Sequence, residues 1–467
     1  MKKITFLLLF VAFSTALFAQ HDSTQVTNQY GIVVERHPLN PEDRSGILTF
    51  ESADKSYKLW LDNRVYVDGA YFFDDNTYNP IGNGVTIRRA RFAIKAILHE
   101  NWYGEIDLDF AGSQVEMKDM IVGYRFSEDH GWKKNLSVRA GNFKESFSME
   151  SVTTSRYVSF IERSLVNEFA PSRHIGVQAR KYDKYWLVYT GIHFADLGGY
   201  EEAEFSQAHN KSMGMDEGYS WTSRVVLRLP IDKKDMIFHL GGSYSYRTPK
   251  TSWESPTSWR HSTRTMSNIN RKKYLDTDDI LNVESRSLMG LELAGAWKNF
   301  MFQGEYMTSS VSGTDLTTDV NNGLKGISSS TAEGMYAQVG WLIFGGRYQY
   351  NSSEGEFTRV KRGRKWGDIE LAFRYDYLNL NDFAAKIYGG GANAYTIGLN
   401  YHVNSNVKLM INYSYAEHDR YANGKDKLYI GKDSNGELTK DWSKVDPLQG
   451  TPGEQFGFIQ CRIEIDF

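Results

Sequence analysis

The last twelve residues constrain the fold more than any other segment. Ile459, Cys461, Ile463, Ile465 and Phe467 alternate with Gln460, Arg462, Glu464 and Asp466, so an extended chain here has one apolar face and one polar face. Period-two alternation that ends on a terminal phenylalanine is expected of the closing strand of a barrel set in an outer membrane. An open sheet edge in lipid would leave its N–H and C=O groups unsatisfied, so this strand must pair with the first one. The single cysteine, Cys461, falls on the apolar face, where it serves as a small hydrophobe.

Segments of the same kind recur along the chain. We read strands at 57–72, 85–98, 102–111, 115–126, 135–143, 174–182, 185–194, 219–229, 236–247, 286–297, 300–309, 332–343, 366–378, 393–403, 407–417 and 456–467. That makes sixteen, an even number, as a bacterial barrel requires. Tight turns are expected at His99-Glu100-Asn101, Asp183-Lys184, Lys298-Asn299 and Asn404-Ser405-Asn406. Long connections are expected at 144–173, 195–218, 248–285, 310–331 and 418–455. With both termini periplasmic, tight turns fall on the inner side and long loops outside. Trp102, Tyr103, Tyr185, Trp186, Trp297, Phe300 and Tyr401 crowd the tight turns, the pattern of an interfacial girdle. Residues 344–365 break the scheme, because strand parity places this long connection on the periplasmic side.

Hydropathy alone would make the chain soluble, since its mean is −0.50. Alternating strands average out in this way, so the value does not exclude a barrel. The 29 Tyr, 26 Phe and 11 Trp, with only 9 Pro, suit aromatic girdles and long hydrogen-bonded strands. A net charge of −3 from 54 basic and 57 acidic residues argues against a nucleic-acid partner. One cysteine excludes a disulfide framework.

Lys2 and Lys3 precede an apolar run from Phe6 to Ala19, the layout of a secretory signal peptide and too short for a spanning helix. Cleavage is expected after Ala19, although Leu17 stands at the minus-three position, where a small residue is usual. Residues 20–56 then read as a periplasmic lead-in and 57–467 as the barrel.

The second strand carries the chemistry. Ala90, Phe92, Ile94, Ala96 and Leu98 form one face; Arg89, Arg91, Ala93 and Lys95 form the other. A cation facing lipid at mid-membrane costs about 2–4 kcal/mol, so the basic face must point inward. In the third strand Tyr103, Glu105, Asp107 and Asp109 share the lumen phase. A three-residue turn then sets Lys95 opposite Glu105 and Arg91 opposite Asp109. Two readings stay open: neutralised structural pairs lining a wet pore, or a track of surplus guanidinium groups for anions. Arg64, Arg139, Arg180, Arg224, Arg228, Arg374 and Lys408 have lumen phase elsewhere and would extend such a track. Arginine suits oxyanions because its planar donors grip two oxygens at once and it stays charged.

Segment 144–173 adds Lys144, Arg156, Arg163 and Arg173, and a loop of that length in a barrel often folds inward. Lys250, Arg260, Arg264, Arg271, Lys272 and Lys273 give the loop at 248–273 a basic excess. Arg359, Lys361, Arg362, Arg364 and Lys365 would do the same at the other mouth. Either cluster is a source of anion attraction at a pore mouth or a solvated loop near lipid headgroups.

Arg88-Arg89-Ala90-Arg91, Gly141-Asn142-Phe143-Lys144, the stretch Ser155 to Ser164 and Ala170-Pro171-Ser172-Arg173 together resemble the phosphate-selective porin O and P family. Tyr336 to Phe344 and Ile369 to Tyr375 look like its later strands. The likeness runs from about residue 57 to the C-terminus. It implies an outer-membrane, trimeric, sixteen-stranded antiparallel β-barrel with an inward-folded third loop and an arginine ladder for phosphate, polyphosphate or related small anions. The ladder maps onto Arg89 and Arg91, whereas Arg88 has outward phase; Lys144 becomes a constriction cation. Glu105, Asp107 and Asp109 beside the ladder, and Ser146 where the similar motif has proline, depart from the family pattern.

A general or sugar-tolerant porin is the alternative within this class. A barrel enzyme is a remote one: the chain has no G-x-S-x-G elbow, no H-E-x-x-H pair and no metal-ligand spacing among its 11 histidines. We therefore expect no catalytic residue, no metal and no cofactor. A structural surface barrel would be closed to ions. A plug-gated active transporter is not expected, because only the 37 residues 20–56 lie between the expected cleavage site and the first strand.

Overall fold

The computed structural model describes residues 25–73, 77–112, 114–126, 131, 133–195, 216–229, 236–251, 256–317 and 328–467; the signal peptide expected at 1–19 lies outside them. Each strand alternates lipid-facing and lumen-facing side chains and pairs antiparallel with the next, until the last meets the first. The spanning strands are β1 (Arg64–Phe73), β2 (Gly84–Leu98), β3 (Trp102–Asp109), β4 (Glu116–Arg125), β5 (Leu136–Lys144), β6 (Arg173–Tyr182), β7 (Trp186–His193) and β8 (Ser220–Leu229). The remaining eight are β9 (Met236–Arg247), β10 (Ile280–Trp297), β11 (Phe300–Thr317), β12 (Ser329–Leu342), β13 (Asp368–Asp382), β14 (Ile387–His402), β15 (Val407–His418) and β16 (Gln455–Asp466). All sixteen expected strands are present. A closed barrel of this size leaves an aqueous lumen, unlike an eight-stranded one.

Closure is antiparallel between β16 and β1, with Arg462 opposite Asp68 and Asp466 opposite Arg64. Asn63 and Phe467 exchange backbone hydrogen bonds of 2.8 and 3.1 Å at the seam. On β16, Ile459, Ile463, Ile465 and Phe467 are exposed on the outer face, while Gln460, Arg462, Glu464 and Asp466 are buried inside. Cys461 is also on the outer face.

Three differences from the sequence reading concern the strands. Residues 57–72 are not one strand: Lys58–Leu61 stops before Asp62 and Asn63, and β1 begins at Arg64. Leu39–Arg44, Ile47–Ser52 and Lys58–Leu61 form a three-stranded extension of the sheet at the short-turn end, so the lead-in is largely paired. Finally, β10 and β11 run on together into residues expected to be loop, pairing Ser285 with Ser312 and Val283 with Gly313 and continuing to Leu281 opposite Thr317. Polar Ser and Thr side chains on this stretch suit a ribbon that has left the bilayer.

The long connections lie at one end and the short turns at the other. Two long connections turn inward. Residues 145–172, between β5 and β6, form the first. The second, between β9 and β10, contains residues 256–279, whose Met266 carbonyl accepts from Gln460 Nε2 at 3.0 Å on β16. Phe147, Leu165, Val166, Phe169, Tyr274 and Leu275 from these segments pack on Phe72, Tyr336, Leu378, Phe456 and Phe458 of the wall. Part of the lumen is therefore an apolar core. The odd connection at 343–367 folds inward from the short-turn end as a hairpin, Arg347–Asn351 paired with Glu356–Lys361.

Candidate functional site

The inward loop 145–172 divides the lumen, because its own side chains and backbone are bonded to the far wall. Glu305 on β11 accepts the backbone N–H groups of Met149 and Glu150 at 3.0 and 2.7 Å. Asn412 on β15 accepts from the Ile161 N–H at 2.8 Å, and Asn400 on β14 donates to the Ser159 carbonyl at 2.8 Å. Ser159 donates to Glu370 on β13 at 2.6 Å. Lys408 and Arg374 belong to the same attachment. Lys408 donates to the carbonyls of Arg156 and Val158, and Arg374 donates to the Glu162 carbonyl while pairing with Asp376. They hold the loop.

What stays open is the side lined by β1 to β6. A cavity of about 460 Å³ lies there, bounded by ten Arg and Lys side chains and five carboxylates. Arg64, Arg89, Arg91, Lys95, Lys144 and Arg163 all border it, as do Arg88, Lys118, Arg139 and Arg173. A second cavity of about 440 Å³ toward the long-loop end shares Arg88, Arg163, Asn167, Ala170 and Ser172 with the first, and adds Arg264 and Lys273. Together they trace a basic path past the loop.

The pairings anticipated from the turn length are present: Lys95 faces Glu105, and Arg91 faces Asp109. Lys95 lies 3.0 Å from both Glu105 and Asp62. Arg91 lies 3.3 Å from Asp107 and 3.2 Å from Asp109. Arg173 pairs with Asp119 at 2.6 Å. The carboxylates Glu105, Asp107 and Asp119 approach within 4.8 Å of one another, and each is matched by one of these cations. They are counter-ions to the ladder.

Other cations have no carboxylate partner among the described residues. Arg89 stacks toward the Tyr66 ring, its guanidinium 5.9 Å from the centroid. Lys144 donates only to the Ser151 carbonyl. Arg163 donates to the carbonyls of Glu150, Ser151 and Thr153 at 3.0, 3.2 and 2.5 Å. Arg64 is not one of them: it donates to Thr154 at 3.0 Å and forms an ion pair with Asp62 at 3.6 Å. Carbonyls orient a guanidinium but carry no charge to cancel it, so the positive potential of these groups remains in the cavity.

Arg88 was expected to point outward, and it does not. Tyr66 pairs with Arg89 but Val67 pairs with Ile87, so Arg88 is an extra residue in β2. This bulge interrupts the alternation and turns Arg88 and Arg89 to the same side. Arg88 then grips Glu162 of the inward loop at 2.6 and 3.0 Å. Two adjacent arginines in an otherwise alternating strand were the signal for it.

Three expected ladder residues are placed elsewhere. Arg224 is fully buried, paired with Glu292 at 2.8 Å and donating to the Gly355 carbonyl. Arg228 donates to carbonyls of Asp183, Lys184, Trp186 and Ser352. Arg180 pairs with Glu354. All three bind the inward hairpin or its turn, which sequence alone left unassigned. The hairpin also brings Glu354 and Glu356 to the main cavity, a pair that reading missed. At the outer loop, Arg260 is paired with Asp276 at 2.6 Å.

A family model for phosphate-selective porin O and P matches residues 61–435. The chain belongs to that family. As a porin of this group it forms an anion-selective channel in the outer membrane of a Gram-negative bacterium. It is similar to Porin O of Pseudomonas aeruginosa, 24% identical over 406 residues that cover 81% of this chain and 87% of that protein. An uncharacterised protein of Caulobacter vibrioides is 25% identical over 376 residues, covering 78% of this chain and 69% of its own length. Among solved structures, OmpT of Vibrio cholerae aligns over 88% of this porin and 98% of its own chain, at 10% identity and a TM-score of 0.49.

Proposed function

We propose that the solutes of this porin are phosphate and related small oxyanions, and that they move along Arg89, Arg91, Lys95, Arg64, Lys144 and Arg163. The observation that carries the reading is the meeting of three cations without ion-pair partners among the described residues, Arg89, Lys144 and Arg163, in one cavity of about 460 Å³. Guanidinium donors match phosphate oxygens in pairs. Contacts spread over several cations keep each one weak enough for release. The short-turn end faces the periplasm in this reading, residues 20–56 lie there, and three copies assemble side by side as in the family. We assign no catalytic step to the channel.

A second reading has a specific observation behind it. Arg91 and Lys95 are neutralised by Asp107, Asp109, Asp62 and Glu105, which favours a broader solute range with only a general anion preference.

Planar-bilayer recordings separate the two. A salt gradient gives the anion-to-cation permeability ratio, and phosphate added to a chloride solution tests competition. Phosphate-selective passage predicts that phosphate depresses the chloride current in the wild type and less so in Arg89→Ala and Arg163→Ala. Anion preference without phosphate block supports the general porin, and cation preference overturns both.

A further inference from the structure

The main cavity continues past the hairpin. Three of its lining residues, Arg139, Tyr189 and Glu354, also border a smaller cavity of about 110 Å³ nearer the short turns. That cavity adds Arg125, Arg180 and Tyr103 to its lining. Arg125 is the last residue of β4 and Tyr103 the second of β3, so both stand at the short-turn ends of their strands.

Charge in the smaller cavity does not cancel. Glu354 is its one carboxylate among the described residues. It pairs with Arg180 and accepts from the Tyr189 hydroxyl at 2.6 Å, which fixes the hairpin tip against β6 and β7 as one side of the cavity. Arg125 and Arg139 have no carboxylate partner among the described residues. An aromatic ring holds each of them instead. The Arg125 guanidinium lies 5.0 Å from the centroid of Tyr103, and that of Arg139 lies 4.2 Å from the centroid of Phe143. Arg139 also donates to Gln178 at 2.7 Å and to the Lys144 carbonyl at 3.3 Å. Rings, amides and carbonyls have no net charge, so they orient a guanidinium and leave its potential in place.

Strand register brings these two cations together. Gly123 pairs with Arg139 on one side and with Tyr103 on the other, and Arg125 pairs with Ser137. Arg125 and Arg139 are therefore diagonal neighbours on the lumen face, a separation that long side chains can bridge. Gly123 keeps the floor between them clear: a Cβ there would stand 3.5 Å from the Arg139 Cβ and 3.6 Å from Cδ1 of Tyr103.

We propose that Arg125 and Arg139 form a further anion-binding station, where phosphate or a related oxyanion passes between the main cavity and the short-turn mouth. Its use depends on such anions occupying the main cavity, as read above. Two guanidinium groups can share the oxygens of one phosphate and stay charged throughout. An ion leaving Arg89, Lys144 and Arg163 then meets new donors as it loses the old ones, which keeps any single well shallow.

The test is the frequency of phosphate-blocking events in the chloride current of the full-length porin, recorded from single channels in planar bilayers. Phosphate is added to one chamber and then, in a fresh record, to the other. For Arg125→Gln and Arg139→Gln the expected frequency falls about fivefold with phosphate on one side, and less than about twofold with phosphate on the other. Arg139→Lys keeps the charge and should stay within about twofold of the wild type on both sides. Arg125 is exposed, so its variant answers the question even if the barrel does not tolerate Arg139→Gln. Unchanged frequencies, or equal losses from both chambers, with block intact in the wild type, overturn the station and leave the main cavity's role standing. No phosphate block in the wild type overturns the phosphate reading beneath it, and the station with it.

Discussion

Arg88 and Arg89 are neighbours in sequence and both face the lumen, because one extra residue in β2 sits between the pairings Tyr66–Arg89 and Val67–Ile87. Their environments differ. Arg88 spends its charge on Glu162 of the inward loop, while Arg89 lies over Tyr66 with no ion pair among the described residues. One therefore fastens the constriction and the other supplies its potential.

Alanine at Arg89 and alanine at Arg91, on the same strand, should act in different ways. Arg89→Ala removes an unopposed charge and should lower the anion-to-cation permeability ratio severalfold with an intact barrel. Arg91→Ala leaves Asp107 and Asp109 without their cation, at 3.3 and 3.2 Å in the wild type. It should shift the reversal potential further toward cations and also lower stability, because an unpaired buried carboxylate is costly. Reversal potentials in a salt gradient, with heat-modifiable gel mobility as the fold control, check both. Equal effects would contradict the distinction.

The inward loop should detach in part when its seat is removed. Glu305 accepts from the N–H groups of Met149 and Glu150 and from the Tyr336 hydroxyl at 2.7 Å. Glu305→Ala leaves these donors unsatisfied in a buried site, at about 1–3 kcal/mol each before relaxation. Single-channel conductance should rise, and current noise should increase as the loop samples other positions. A smaller, quiet conductance would show that Glu305 does not seat the loop.

Much of this was legible in the chain. The alternation on β16 and the three-residue turn at His99 to Asn101 were enough to give the barrel and the register Lys95–Glu105, since side-chain period and turn length determine both. The bulge at Arg88 was not, because phase counted from one end of a strand fails beyond an inserted residue. Arg224, Arg228, Arg374 and Lys408 had the correct inward phase, yet phase says only which face a side chain is on. What meets it there depends on non-local insertions: the loop 145–172 and the hairpin at 343–367. Neither insertion leaves a local pattern from which its destination can be read.

The outer face can be tested independently of conduction. Ile463 is half-exposed and pairs across the seam with Val67 and with Leu409. Ile463→Lys places an ammonium toward lipid, a change of about 2–4 kcal/mol at mid-bilayer and less near the interface. Urea-dependent folding into lipid vesicles should show the loss, whereas Gln460→Lys, on the lumen face, should show little of that lipid penalty. Comparable losses at both sites would mean that the two faces are assigned wrongly.

Acid and base should affect the long-loop end through Glu454. This carboxylate lies just before β16 and accepts from the backbone N–H groups of Tyr78 and Asn79 at 3.0 and 3.3 Å. Burial pushes it up to about 7, against the lowering effect of those bonds and of Lys272. Its folded value is above the unfolded one, so folding is favoured by the protonated form. That contribution is fully present below about 4.5 and is lost as the pH rises through about 7. Amide exchange at Tyr78 and Asn79, corrected for intrinsic rates, should thus show greater protection at pH 5 than at pH 8. Glu454→Gln removes the titrating group and should flatten the dependence. Protection that increases with pH would mean that the ionised carboxylate, with its three N–H donors, the Asn79 side-chain amide among them, is the form that holds these loops together.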